Sequence, residues 1–140
     1  NADYTTLFGI DEVTTEEYNI VHTLYSTVVE GVYVSVSAAE EEVNTPNRIW
    51  TSDPRLRLYS GYLKFTSQTN KIEKIILTRT TNKNLVANQN TVDSGELTTS
   101  DQLNNAEVTW TGQAGSVKIT IAGNTQYIIF GSSLKNIVAE

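Results

Sequence analysis

Two blocks of the chain, residues 55–78 (RLRLYSGYLKFTSQTNKIEKIILT) and 108–121 (VTWTGQAGSVKITI), alternate apolar with polar side chains around glycine-marked turns. A period of two sends successive side chains to opposite faces of an extended chain, so both blocks read as half-buried antiparallel strands. Leu56 with Leu58, and Leu63 with Phe65, supply inward faces; Trp110 shares its face with Val108 and also reads as core, while Thr109 and Thr111 point away. Strands do not alternate with helices along the chain. That removes the doubly wound and TIM-barrel architectures, together with their rules for placing a binding site.

The same reading extends to the remainder. A strand is expected over 28–37, with Val32, Val34 and Val36 on one side, and three acids at 40–42 end it. Residues 43–54 carry both prolines and Trp50 and read as an irregular connection with turns. Further strands are expected at 55–59, 62–66, 72–80, 108–111, 116–121, 126–130 and 134–138. Short ones are expected around Leu85 and Leu97, with a turn at Asp93, Ser94 and Gly95. Over 13–26 the spacing predicts a helix: Thr14 and Glu17 match a capping box, Val13 and Tyr18 a hydrophobic staple, and Tyr18, Val21, Tyr25 and Val28 share a face. The expected fold is an all-β antiparallel sandwich, jelly-roll-like, one domain over residues 1–140, with a short N-terminal helix.

Charge and composition exclude whole classes of function. A chain of this length buries roughly two-thirds of its unfolded surface without metal or disulfide staples. A net charge of −6, with ten scattered basic residues, works against nucleic acid as a partner. The absence of cysteine removes disulfides, thiolate metal sites and thiol nucleophiles. No run approaches the ~18 apolar residues of a membrane helix, and the first residues do not show the basic-then-apolar pattern of a signal peptide. With no Met in the chain, Asn1 is expected not to be a translational start but the end of a mature or trimmed piece.

Catalytic motifs are missing, and no cofactor is expected: there is no nucleophile elbow, zinc-protease helix, P-loop or dinucleotide fingerprint. His22 is the single histidine and reads as a surface or structural residue. Sixteen carboxylates leave a glycosidase open, since that chemistry needs only two acids about 5–10 Å apart, but sequence does not pair them. Asp93, Glu96 and Asp101 lack the EF-hand spacing, and turn or capping roles explain Asp53, Asp93 and Asp101, so no metal site is assigned. Aromatic residues give the one lead, because sugar sites stack ring faces on Trp or Tyr. Trp50 either plugs one end of the sandwich or stands exposed. Arg55, Arg57 and Tyr59 lie opposite Leu56 and Leu58, and Tyr62 alternates away from Leu63. Trp50, Arg57, Tyr59 and Tyr62 therefore form the candidate ligand-binding patch, set against an ordinary amphipathic surface with snorkelling Arg stems.

Several pieces resemble, in order and spacing, a β-sandwich domain common in secreted and lipid-anchored surface proteins of gut Bacteroidetes. They are Leu56 to Tyr59, the turn at Ser60 and Gly61, Leu63 to Phe65, Ile72 to Leu77, Trp110 to Gly112 and Ser116 to Ile119. The resemblance covers residues 50–138; a helix at 13–26 departs from that family's strand-first pattern. It implies export, to the outer-membrane surface or periplasm, with a lipid anchor upstream and no membrane insertion by this chain. It implies no catalytic residue. The expected function is a non-catalytic surface domain that binds carbohydrate; the alternative is a structural or adhesive module whose partner is another cell-surface protein.

Overall fold

In the computed structural model, residues 7–10, 17–29, 31–40, 44–50, 55–68, 70–79, 90–99, 107–123, 125–128 and 137–139 are described. Among them the strands are β1 (Glu17–Asn19), β2 (Leu24–Tyr25), β3 (Val32–Val36), β4 (Arg48–Trp50), β5 (Arg55–Leu58), β6 (Tyr62–Ser67) and β7 (Ile72–Arg79). The chain continues with β8 (Thr91–Val92), β9 (Glu96–Thr99), β10 (Glu107–Ala114), β11 (Ser116–Thr120), β12 (Thr125–Ile128) and β13 (Ile137–Ala139).

The two alternating blocks are partners. In one sheet β11 runs antiparallel to β6, with Ser116 opposite Thr66 and Thr120 opposite Tyr62. In the other, β10 runs antiparallel to β7, with Glu107 opposite Thr78 and Ala114 opposite Ile72. Where the chains pass between sheets the ladder continues, since the Ser67 N–H donates to Gly115 O at 2.9 Å. One long two-stranded ribbon therefore folds over and contributes to both sheets. A bulge between Thr111 and Ala114 accommodates the bend. At the same place the inward set changes parity, for Ile72 and Ile75 are both fully buried three positions apart.

The larger sheet has the order β1-β4-β5-β12-β7-β10-β9, and β13 shares with β12 one edge of β7. The smaller has the order β2-β3-β6-β11-β8. Every pairing is antiparallel. The all-β sandwich read from the sequence is thus the fold. Its core joins Leu56, Ile75, Val108 and Trp110 of the larger sheet to Val34, Leu63, Phe65 and Ile119 of the smaller, all fully buried. Each such side chain contributes about 1.5–3 kcal/mol by leaving water. Leu56, Leu58, Leu63, Phe65 and Trp110 are core, as alternation predicts.

The N-terminal reading needs correction. The described part of 13–26 holds two short strands in different sheets, β1 against β4 and β2 against β3. Isolated helix signals lose to tertiary pairing here, aided by the β-branched Thr, Ile and Val of the segment. Ile20 N–H donates to Asn47 O (2.8 Å) and Val34 N–H to Ser26 Oγ (2.8 Å), bonds a helix would forgo. A second correction concerns 43–54: within it Arg48, Ile49 and Trp50 form a strand, with Ile49 fully buried between Tyr18 and Leu56 in register. The expected strand around Leu85 and the acidic residues Asp53 and Asp101 lie outside the described residues.

A buried polar knot fixes the turn from β5 to β6. Asn47, fully buried, donates through Nδ2 to Ser37 O (3.0 Å) and Ser60 O (2.8 Å), and its Oδ1 accepts from Tyr59 N–H (2.7 Å). Ser37 Oγ accepts from Tyr62 N–H (2.9 Å), and Gly61 closes the turn at φ +78°. A Cβ on Gly61 would overlap Ser37 Oγ and stand 2.9 Å from Ala38 O. Gly31 also has positive φ, +84°, but open space around it. Gly31→Ala is expected to cost only the left-handed backbone penalty, roughly 1–2 kcal/mol, and Gly61→Ala clearly more. Urea unfolding of the two variants checks this; equal losses would show that the knot yields freely.

Candidate functional site

Alternation on β1, β4 and β5 puts Tyr18, Ile49 and Leu56 inward and Glu17, Trp50 and Arg55 outward, with a second outward row at Arg48 and Arg57. The register sets Arg48 directly opposite Arg57, a like-charge pair that on its own destabilises a sheet. Glu17 resolves it. Its Oε2 lies 2.8 Å from Arg48 Nη1 and its Oε1 3.1 Å from Arg57 Nη1, so one carboxylate bridges two guanidinium groups. All three are partly exposed, and pairs of this kind contribute at most about 1 kcal/mol each. Their main effect is orientation.

Aromatic rings complete the arrangement. The Arg57 and Arg55 guanidinium carbons lie 5.1 and 5.4 Å from the Trp50 ring centre, and that of Arg48 lies 5.6 Å from the Tyr59 ring. A continuous relay thus runs Arg55, Trp50, Arg57, Glu17, Arg48, Tyr59 across three strands. Cation–π contacts at such distances hold the guanidinium groups in fixed positions. Tyr59 is itself anchored, because its N–H is held by the buried Asn47 amide.

Of the four residues singled out from the sequence, Trp50, Arg57 and Tyr59 belong to this relay. Tyr62 does not: it opens β6 in the other sheet, where Lys118 Nζ stands 5.3 Å from its ring. Trp50 is half-buried on a strand, neither a plug nor a fully exposed platform. Sequence reasoning missed Glu17 and Arg48. In the sequence Glu17 reads as part of a helix cap and Arg48 as part of an irregular connection, so neither carries a face assignment; the short alternation Arg48-Ile49-Trp50 is the available signal.

Other candidate chemistry finds bland employment. His22 is exposed at the bend between β1 and β2. Asp93 Oδ1 accepts from Lys118 N–H at 3.1 Å, which ties the turn before β9 to β11. No three His, Asp or Glu side chains converge among the described residues. A hollow of about 300 Å³ beside the β1–β2 connection is walled by Ile20, Val21, Ala38 and Pro46. Glu40 also lines it. No helix among the described residues is long and apolar enough to cross a membrane. Compared with protein-family profiles, curated proteins and solved structures, the chain matches none.

Proposed function

We propose that this chain is a non-catalytic, exported cell-surface domain that binds carbohydrate on the outer face of β1, β4 and β5. The observation that carries the reading is the relay of Trp50 and Tyr59 with Arg55, Arg57 and Arg48, partly exposed on one rigid sheet face. Aromatic edges offer apolar shoulders to a sugar ring, while guanidinium groups supply donors to its oxygens. The sequence resemblance to surface domains of gut Bacteroidetes supports placement at the outer-membrane surface or in the periplasm. A polysaccharide panel tested by calorimetry is the direct check. Trp50→Ala is expected to weaken binding about tenfold or more, as loss of a central aromatic anchor does, with the fold retained. Failure of the intact chain to bind any glycan would remove the reading.

A second reading, an adhesive or structural module, is favoured by one feature. Edge strand β2 carries the exposed Tyr25 (62%) and is flanked by exposed apolar Val21 (67%) and Val28 (46%). Edges of that kind invite pairing with another chain. Sedimentation at high concentration decides it: self-association abolished by Tyr25→Asp supports the module, and a persistent monomer counts against assembly through β2.

A further inference from the structure

Building on the carbohydrate reading, we propose that the ligand of the β1, β4 and β5 face is a uronate-bearing polysaccharide, one of whose carboxylates takes the place that Glu17 holds between Arg48 and Arg57. Three features of the face lead there. Arg48 and Arg57 are held opposite each other in register, and the single Glu17 carboxylate bridging them leaves this trio with one positive charge in a chain of net charge −6. Glu17 also uses the two forks incompletely. It meets one Nη of each arginine, while Nε of Arg48 and Nε of Arg57 are buried without a hydrogen-bond partner. A guanidinium reaches its full strength as a two-point fork on a planar carboxylate, so the one-point contacts that Glu17 makes are of the weaker kind, open to exchange.

The chain's own Glu17 shows that a carboxylate, a flat group with two oxygens, is what this gap accommodates. Neutral sugars fit it less well, since they bring no charge to answer the guanidinium groups of Arg48 and Arg57. Arg57 on β5 stands opposite Arg48 on β4, so an extended chain crossing these strands meets both cations. Attraction of this kind acts only within about a Debye length, which lets an acidic protein keep a local anion receptor.

The test uses the whole chain with sodium polygalacturonate, alginate, fully methyl-esterified polygalacturonate, dextran sulfate and duplex DNA, by calorimetry at two salt concentrations. At least one of the two uronates is expected to bind, the esterified polymer at least about tenfold more weakly than its acid, with affinity falling as salt rises. Arg57→Gln should reduce uronate affinity about tenfold, and Arg48→Gln likewise. Glu17→Gln should raise it severalfold, because the competing internal carboxylate is gone; a merely structural Glu17 would not do so. Near-ultraviolet circular dichroism establishes that each variant is folded.

Equal binding of acid and ester overturns the uronate assignment and leaves the carbohydrate reading standing. Dextran sulfate or DNA bound as tightly as the uronates overturns it in favour of a generic polyanion surface. Weaker binding by folded Glu17→Gln overturns the displacement. Binding of none of these polymers removes this inference alone; the carbohydrate reading falls only if the wider polysaccharide panel is also left unbound.

Discussion

Trp110→Ala is expected to lower the unfolding free energy by about 3–5 kcal/mol, among the largest losses available to a single side chain in this fold. The indole is fully buried on the inner face of β10, and its Nε1–H donates to Ser94 O at 2.7 Å. Two glycines make room for it. A Cβ on Gly95 would lie 2.6 Å from indole Cε2, and one on Gly112 2.8 Å from Cζ2. Backbone this close to the ring has no side chain that can move in to fill the space, so truncation leaves a cavity instead of a collapsed site. The midpoint of thermal unfolding should fall on the order of 10–20 °C. Trp110→Phe separates the contributions: it keeps much of the packing but abandons the Ser94 carbonyl, for a smaller loss. Trp50 remains as a fluorescent reporter. A loss under about 1 kcal/mol in Trp110→Ala would contradict core placement of the indole.

Asn47→Ala is expected to cost about 3 kcal/mol or more, although it deletes only a small polar side chain. The amide is the partner of two carbonyls and of the Tyr59 N–H, and Ser60 N–H adds a longer contact at 3.4 Å. Removing it strands buried backbone groups, each carrying its own desolvation penalty. Asn47→Asp is the sharper experiment. The carboxylate keeps the acceptor for Tyr59 N–H but turns an anion toward the Ser37 and Ser60 carbonyls, so it should destabilise at least as much as alanine at neutral pH. Because the knot also sets Tyr59, both variants should loosen the contact between Arg48 and the Tyr59 ring. Guanidinium-induced unfolding measures the first effect. An aspartate variant as stable as the parent would mean that the donor half of the amide is dispensable.

The fold was legible where side chains alternate without interruption. From 55 to 66, period-two patterning separates Leu56, Leu58, Leu63 and Phe65 from Arg55, Arg57 and Tyr62, and burial follows it position by position. Legibility failed where a strand is too short for a period to register. Glu17–Asn19 and Leu24–Tyr25 are three and two residues long, and partners distant in sequence, β4 and β3, define them. Thr14 and Glu17 offer a local helix start there, and nothing nearby in sequence announces that Arg48 and Arg57 will claim the glutamate. The candidate face was legible in part for the same reason. Trp50, Arg57 and Tyr59 can be drawn together through β5, while Tyr62 stands apart from them in the smaller sheet, because alternation fixes which side a residue faces but not which sheet it joins. The turn at Ser60 and Gly61 carries the chain from one sheet to the other between Tyr59 and Tyr62.

The ribbon of β6–β7 with β10–β11 has a mechanical meaning beyond its place in the topology. In a sandwich whose layers meet only through side chains, one layer can slide over the other by exchanging apolar contacts of nearly equal worth. Here shear of that kind would have to tear a hydrogen-bonded ladder at the corner where Ser67 meets Gly115. Sliding of one layer past the other is therefore opposed at that corner by hydrogen-bonded backbone as well as by apolar packing.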